Sequence, residues 1–198
     1  MKRFWPYLVA VLALSSCTPV DDFGAYWDKG FADPALEGTW KKAGLPGEDI
    51  GNIPGADLLR FTKNGANYDL QNINPLDPEL SPENLEQRRK DNEYKMSTRS
   101  LQIGKHRFLM QRDPSGQGRG FLQRYDIQGT TLREYSIENG EAVDFLETKH
   151  PGKNIRKNVG EGRYVVIKRF DDEVFQVLSE MLDTPEYWRL DCEYRKVP

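Results

Sequence analysis

The amino-acid sequence predicts a mainly β, β-rich α+β fold: an antiparallel meander that closes into a small barrel, with one helix packed on it near the C-terminal end. Three observations lead to this prediction. Short turns separate successive strand-like segments over most of the chain, which favours antiparallel neighbours. One segment close to the C-terminus has the spacing of an amphipathic helix. The 198 residues are 11% aromatic, which is typical of a packed core, and their number fits one domain.

The chain begins with a segment typical of an export leader. Met1-Lys2-Arg3 is a short positive start, and Phe4 to Leu14 is an apolar run. At ~1.5 Å per residue, a helix of this length covers only about half of the ~30 Å hydrocarbon core of a membrane. We therefore expect a signal peptide over residues 1–16 and not a membrane-spanning helix.

The end of the leader, Leu14-Ser15-Ser16-Cys17, resembles the bacterial lipobox. This resemblance implies cleavage before Cys17, which would carry a diacylglyceryl thioether and an amide-linked acyl chain; two or more acyl chains anchor a protein stably. An ordinary secreted leader cut near the same place is the alternative. Thr18 follows the cysteine, where lipoproteins kept in the inner membrane have an aspartate. The resemblance thus implies an outer-membrane lipoprotein that faces the periplasm.

Residues 17–35 contain the lipidated N-terminus and a segment that we call the aromatic strap, with Phe23, Tyr26, Trp27 and Phe31. It is too aromatic for a simple flexible tether. Two interpretations stay open. The strap either packs across the domain or presents a docking patch for a partner near the membrane.

The domain itself is expected over residues 36–198. Gly38-Thr39-Trp40 opens a first strand, and 58–70 predicts a hairpin around Asn64-Gly65. A proline-rich connection follows, in which Ser81-Pro82 predicts the start of a short surface helix through about Lys90. The next strands are predicted, in order, over 94–103, 107–112, 121–127 and 130–137, with a short helix at 142–148.

The C-terminal part predicts a strand over 164–170, a helix capped by Asp171, and a final strand over 187–194. Phe170 is positioned to staple against Phe175. The buried helix face is predicted to contain Val174, Val177, Leu178, Met181 and Leu182. A period of two places Trp188, Leu190, Cys192 and Tyr194 on one strand face. On that face Cys192 is interpreted as a core thiol, with a reactive or intermolecular thiol as the alternative.

Gly38-Thr39-Trp40, the antiparallel strands, and the late strand, helix and strand are similar to the order of elements in the lipocalin barrels. The resemblance covers about residues 36–195. It implies a structural role for Trp40 in closing one end of the barrel, covered by a basic residue from a late strand, Lys168 or Arg169. Arg169 is the better candidate, because a guanidinium binds well over an indole ring.

Several kinds of site are disfavoured. Without the leader, 26 basic and 31 acidic residues give a net charge of −5, which argues against nucleic acid. Gly116, Gly118 and Gly120 lack the lysine and helix of a phosphate loop. His106 and His150 lack partners at metal-ligand spacing, so no metal is expected. No nucleophile and base signature appears, so neither catalytic residues nor an enzyme are expected, and no cofactor besides the lipid on Cys17.

The basic residues Lys149, Lys153, Arg156 and Lys157 lie in a predicted loop, either simply solvated or in contact with anionic lipid heads or envelope polymers. Two functions remain. The first is a membrane-anchored, non-enzymatic interaction or structural module that contacts an envelope protein or polymer. The second is a lipocalin-like carrier of a small apolar ligand. The first is preferred, because small barrels are often filled by their own side chains.

Overall fold

The structure is a computed structural model that describes residues 18–43, 58–74, 76, 80–116, 119–137, 140–151, 155–158 and 164–198. The predicted leader and Cys17 lie outside the described residues. Within these ranges the strands are β1 Thr18–Val20, β2 Gly38–Lys42, β3 Leu58–Asn64, β4 Asn67–Ile73, β5 Lys95–Ile103, β6 His106–Arg112, β7 Gly120–Gln128, β8 Thr131–Ile137, β9 Ile155–Asn158, β10 Tyr164–Ile167 and β11 Trp188–Lys196. The helices are α1 Tyr26–Lys29, α2 Pro82–Glu93, α3 Glu141–Lys149 and α4 Asp172–Met181, with short 3₁₀ turns at Pro34–Leu36 and Pro185–Tyr187.

Eight strands form a closed antiparallel barrel. Their order is β6-β5-β4-β3-β2-β11-β8-β7, and β7 pairs with β6 to complete the ring. Closure leaves these strands with no free edge, which removes the aggregation hazard of an open sheet. The predicted fold class is confirmed, as is the hairpin at Asn64-Gly65, where Gly65 takes a positive φ of 60°.

The barrel wall has apolar residues on both faces, because each face packs against a different core. The inner core fills the barrel and includes Trp40, Phe61, Tyr68 and Leu132. The outer core lies between the barrel wall and the strap, α3 and α4. In β6, Leu109 belongs to the inner core, and Phe108 and Met110 belong to the outer core. A strand covered on both faces therefore has a continuous apolar run in place of simple alternation.

Strands β1, β10 and β9 extend the sheet beyond the barrel. One edge of β7 is shared, because β8 pairs with its residues 124–128 and β1 pairs with its residues 120–122. β10 then pairs in parallel with β1, and β9 pairs with β10. The strap thus enters the same sheet as the barrel, starting at Thr18. Neither β1 nor β9 was predicted from the sequence.

The strap packs onto the outer core, as the first interpretation expected. Phe23, Tyr26 and Trp27 are buried. The Tyr26 ring lies against both aromatic residues of the predicted staple, with centroids 4.9 Å from Phe170 and 5.4 Å from Phe175. The strap therefore contributes the ring that joins these two side chains.

Helix α4 agrees with its prediction. The Asp171 carboxylate accepts a hydrogen bond from the Val174 backbone N–H, which is the expected cap. The five residues predicted for its buried face, Val174, Val177, Leu178, Met181 and Leu182, are all buried. Helix α2 lies on the surface as predicted, with the Ser81 cap and no buried residue. In the described ranges no helix is long and apolar enough to cross a membrane.

The final strand contains a β-bulge that the sequence did not reveal. Leu190 pairs with Tyr135 and Cys192 pairs with Glu134, so Asp191 is an extra residue. A one-residue insertion exchanges the two faces of a strand. Trp188 accordingly faces outward against Phe108, with ring centroids 5.7 Å apart. Cys192 and Tyr194 pack with the inner core, so the prediction of one shared face for these residues and Leu190 is wrong.

Candidate functional site inside the barrel

One end of the barrel is closed by the segment that precedes β2. The indole N–H of fully buried Trp40 donates to the Leu36 carbonyl at 2.7 Å, which holds Leu36 under the ring. Asp33 accepts hydrogen bonds from Tyr125 at 2.7 Å and from Arg107 at 2.9 Å. These contacts hold the segment before β2, which we call the plug, against this end of the barrel.

The cation over Trp40 differs from the prediction. Lys196, on β11, places its ammonium 5.1 Å from the Trp40 ring centroid. Arg169 is largely exposed and lies 3.9 Å from Asp22, and Lys168 is its neighbour just after β10. The prediction of Arg169 or Lys168 is wrong, because β10 lies outside the barrel and β11 is the late strand that pairs with β2.

Toward the opposite end, the barrel interior contains polar side chains among apolar ones. Adjacent strands β5 to β8 present a contiguous inward-facing set, which we call the polar band: Thr98, Gln111, Gln123, Glu134 and Ser136. Thr98 pairs directly with Gln111 across β5 and β6. The Gln123 amide donates to Glu134 at 3.3 Å. Each member of the band is at most 6% exposed, so these groups are removed from bulk water.

Glu134 is the central titratable group of the polar band. Burial is the main cause that raises its pKa from 4.5 to about 7, and the nearby Asp191 carboxylate raises it further. Hydrogen bonds from Tyr194 and Gln123 and the charge of Lys42 oppose this rise. Burial also raises the pKa of Asp191. Glu134 and the neighbouring Asp191, which forms an ion pair with Arg189 at 3.0 Å, are therefore two carboxyl groups held away from water.

One acceptor oxygen of the polar band, Gln111 Oε1, receives no hydrogen bond in the part of the chain that the structure describes. Asp191, next to the band, accepts a hydrogen bond from Arg189 at 3.0 Å, and Ser136 of the band is hydrogen-bonded to the same carboxylate. Gln111 is 2% exposed and the Asp191 side chain is 6% exposed. Buried acceptors are paired in most proteins, because losing water without gaining a partner costs free energy. The Gln111 carbonyl oxygen is thus a buried acceptor without a described donor.

Cys192 faces the same interior, beside Glu134 on the neighbouring strand. Burial raises the pKa of its thiol, so the thiol stays protonated and weakly nucleophilic at neutral pH. The two histidines lie elsewhere. His106 is 3.9 Å from Asp183, and His150 is 2.8 Å from Glu180. In the described residues neither histidine is placed to activate Cys192, and no group of three potential metal ligands comes together.

The glycine-rich segment has a structural explanation. Gly116 takes a positive φ of 72° in the β6–β7 turn, and Gly118 lies outside the described residues. A Cβ on Gly120 would lie 2.5 Å from the Gln111 carbonyl oxygen and 2.6 Å from the Phe23 ring. Glycine at this position therefore lets the strap approach β7 closely.

The predicted basic loop is divided among elements. Lys149 ends α3, and Lys153 lies outside the described residues. Arg156 and Lys157 belong to β9, opposite Val166 and Val165 of β10, so their assignment to a loop is wrong. Their segment pairs with β10, which overrides the loop signal of the nearby proline and glycine.

A groove on the outer surface lies beside the strap. It has a volume of about 390 Å³ and is lined by Tyr26, Lys29, Phe31, Leu101, Gln102 and Phe175. Phe31 is 39% exposed there, whereas the other strap aromatics are buried. Of the four strap aromatics, Phe31 is thus the one whose side chain is exposed enough to contact a partner.

The polar band was not predicted from the sequence, although the sequence contains a signal for it. Thr98, Gln111, Gln123 and Glu134 interrupt strands that are otherwise apolar. Such residues would be taken for the solvent face if only one side of the sheet were covered.

Comparisons of the chain with protein-family models, with curated proteins and with solved structures found no match.

Proposed function

We propose that this protein is a non-enzymatic lipoprotein of the bacterial cell envelope, anchored by lipid on Cys17 and acting as an interaction or structural module. In this proposal it lies in the outer membrane, faces the periplasm and contacts an envelope protein or polymer. The observation that carries the proposal is the position of β1. Thr18, the residue after Cys17, is already buried and paired with Leu122 of β7.

The position of β1 supports a rigid connection between the lipid and the domain. A chain cut before Cys17 keeps every described element, because β1 starts one residue later. Val20 of β1 pairs with Ile167 of β10, and Asp21 donates its backbone N–H to the Ile167 carbonyl at 2.8 Å. A lipid on Cys17 would therefore hold the barrel directly at the membrane, without a linker.

Strand β9 adds to this proposal. Val165 of β10 pairs with Lys157, and two residues along β10, Ile167 pairs with Val20. The backbone of Lys157 is thus level with Thr18 and two strands away, a separation of ~10 Å at ~4.8 Å per strand. Basic residues so close to an anchor favour contact with anionic lipid heads.

Metabolic palmitate labelling tests the anchor. We expect label on the wild-type chain and on Cys192→Ser, which keeps Cys17. The Cys17→Ser variant should lose the label and leave the membrane fraction. Label that persists in Cys17→Ser would contradict the proposal.

A second candidate, a carrier that holds a small apolar ligand inside the barrel, is compatible with the closed eight-strand barrel. The closed end is filled by Trp40 and Leu36, and the band lies near the junction of β6 and β7. An apolar ligand next to the band would cover buried polar groups without offering them hydrogen bonds, which disfavours this candidate. Native mass spectrometry followed by solvent extraction of the mature protein tests this candidate; a reproducible one-to-one apolar ligand would promote it over the interaction module.

A further inference from the structure

The edge of β5 that faces the strap has a backbone position open to another chain. β4 pairs with residues 95–98 of β5, and Phe31 of the strap pairs with Ser100. Phe31 donates its N–H to the Ser100 carbonyl at 2.9 Å and accepts a hydrogen bond from the Ser100 N–H at 2.8 Å. In an antiparallel sheet the N–H and C=O groups of alternate residues point to the same edge of a strand. Those of Gln102 therefore point to the edge that Phe31 covers at Ser100.

The strap leaves this edge before it can cover Gln102. Because antiparallel partners advance in opposite directions, a fully extended strap would place Lys29 opposite Gln102. Lys29 instead ends helix α1, and the Gly30 N–H donates to the Trp27 carbonyl at 3.1 Å. Gln102 is exposed, and in the described ranges no residue pairs with it on this edge. Open edge groups of this kind are the ones through which an extended peptide joins a sheet.

The open position adjoins the groove beside the strap. Gln102 lines this groove of about 390 Å³, and most of the other lining side chains are aromatic. The volume lies in the ~300 to 1,000 Å³ range of ligand sites. Phe31 exposes its ring there on a backbone that two hydrogen bonds hold to β5. The edge thus combines backbone hydrogen-bonding groups with an apolar pocket, which are the two features of peptide recognition by strand addition.

The charges at the groove favour an uncharged occupant. The Lys29 ammonium lies 3.8 Å from the Tyr26 ring centroid and 3.9 Å from Asp172 Oδ1, so this cation already has a counter-charge. The Tyr26 hydroxyl donates to the same oxygen at 2.5 Å. Glu173, the next residue of α4, is exposed, so an anionic lipid head or polymer would meet carboxylates beside the single lysine. A neutral, apolar side chain is complementary to this groove.

We propose that an extended, uncharged peptide segment of a partner protein adds to β5 at Gln102 and places an apolar side chain in the groove. The segment runs antiparallel to β5, as Phe31 does, and exchanges two backbone hydrogen bonds with Gln102. The proposal rests on the interaction module proposed above and names the chemistry of its partner. Palmitate labelling tests the anchor alone, so the anchor and the peptide site can fail separately.

Exchange of the Gln102 amide proton with solvent measures this pairing directly. The mature protein, in nanodiscs of phosphatidylcholine, is titrated with a capped five-residue peptide of valine and threonine around a central phenylalanine, and exchange is followed by NMR. At a peptide concentration of about four times its dissociation constant, exchange at Gln102 should slow roughly fivefold. The Ser100 amide, which already donates to Phe31, should not change. The same peptide with methylated backbone nitrogens should not slow exchange at Gln102.

Two pairs of variants complete the test. Gln102→Pro removes the edge N–H and should weaken peptide binding about tenfold in calorimetry, whereas Gln102→Ala keeps the N–H and should bind like the wild type. Phe31→Ser removes the exposed ring and should also weaken binding about tenfold. Leu76→Ser, which changes another exposed apolar residue, should leave binding unchanged. Melting curves show whether each variant folds, and Phe31→Ser decides the matter if the proline variant does not.

Three results with the peptide would each overturn the proposal: no slowing at Gln102 at millimolar concentration, equal binding of the methylated peptide, or binding that survives Phe31→Ser. Two further measurements address other occupants of the groove. If Phe31→Ser instead abolishes binding to phosphatidylglycerol vesicles, or self-association in sedimentation, the groove holds lipid or a second copy of the chain, and the proposal is wrong.

Discussion

At the scale of single residues, Trp40 connects the plug to the barrel. Its indole packs in the inner core, is fully buried, and donates its N–H to the Leu36 carbonyl. We expect Trp40→Ala to lower the free energy of unfolding by about 3 to 5 kcal/mol, the usual cost of a deleted large aromatic. Denaturant unfolding measures this loss. A loss below about 1 kcal/mol would mean that the plug does not depend on the ring.

Gly120 lies where the strap crosses β7. Because a Cβ there would meet the Gln111 carbonyl oxygen and the Phe23 ring at close range, Gly120→Ala forces the backbone or the strap to move. We expect a loss of about 1 to 3 kcal/mol, typical of overpacking. Gly140→Ala is the control, since a Cβ at Gly140 meets no atom within 4 Å. Equal stability of the two variants would contradict this account.

Glu134 should make stability depend on pH. Its folded pKa is about 7 against an ordinary value of 4.5, so the folded protein retains a proton that the unfolded chain releases. Its contribution to the free energy of unfolding therefore falls as pH rises from about 4.5 to about 7, and is constant above that.

Comparison with Glu134→Gln isolates this contribution from the other titrating groups. Between pH 5 and pH 8, the free energy of unfolding of the glutamine variant should rise relative to that of the wild type by about 1 to 3 kcal/mol. Urea unfolding at the two pH values gives the difference. A difference that stays constant with pH would show that Glu134 titrates like an exposed carboxyl.

At the scale of elements, the strap and α4 form one unit through Tyr26. Its ring contacts Phe170 and Phe175, and its hydroxyl donates to Asp172 at 2.5 Å. We expect Tyr26→Phe to cost about 0.5 to 1.5 kcal/mol, because only the hydrogen bond is lost. Tyr26→Ala should cost about 3 to 5 kcal/mol, because the ring is lost as well. Similar losses for both variants would show that the ring adds little to the docking.

Elements with strong local signals were predictable from the sequence. The Asp171 cap, the buried face of α4, the Asn64-Gly65 hairpin and the Ser81 cap depend on neighbours within a few residues. Strand β1 is short and pairs with β7 and β10, which are distant in sequence, so its local sequence indicates little. Strand β9 has four residues and pairs with the nearby β10, and so short a strand also gives a weak local signal. The bulge at Asp191 likewise depends on pairing with β8.

At the scale of the whole molecule, the closed barrel was predictable because local turns dictate antiparallel neighbours. The polar band was not, since the strap, α3 and α4 cover the outer face and leave both faces of the wall packed. The position of Lys196 over the Trp40 ring was not predicted for a related reason. Which late strand meets β2 is a property of the closed ring and not of any local pattern.

We propose that lipid on Cys17, the residue before β1, joins the barrel to the membrane. The intact mass of the mature protein, purified from membranes in detergent, tests it most directly. We predict a chain that begins at Cys17 and carries the added mass of diacylglycerol and an amide-linked acyl chain, all located on the N-terminal peptide. A mature chain that begins at another residue, or an unmodified Cys17, would contradict the account.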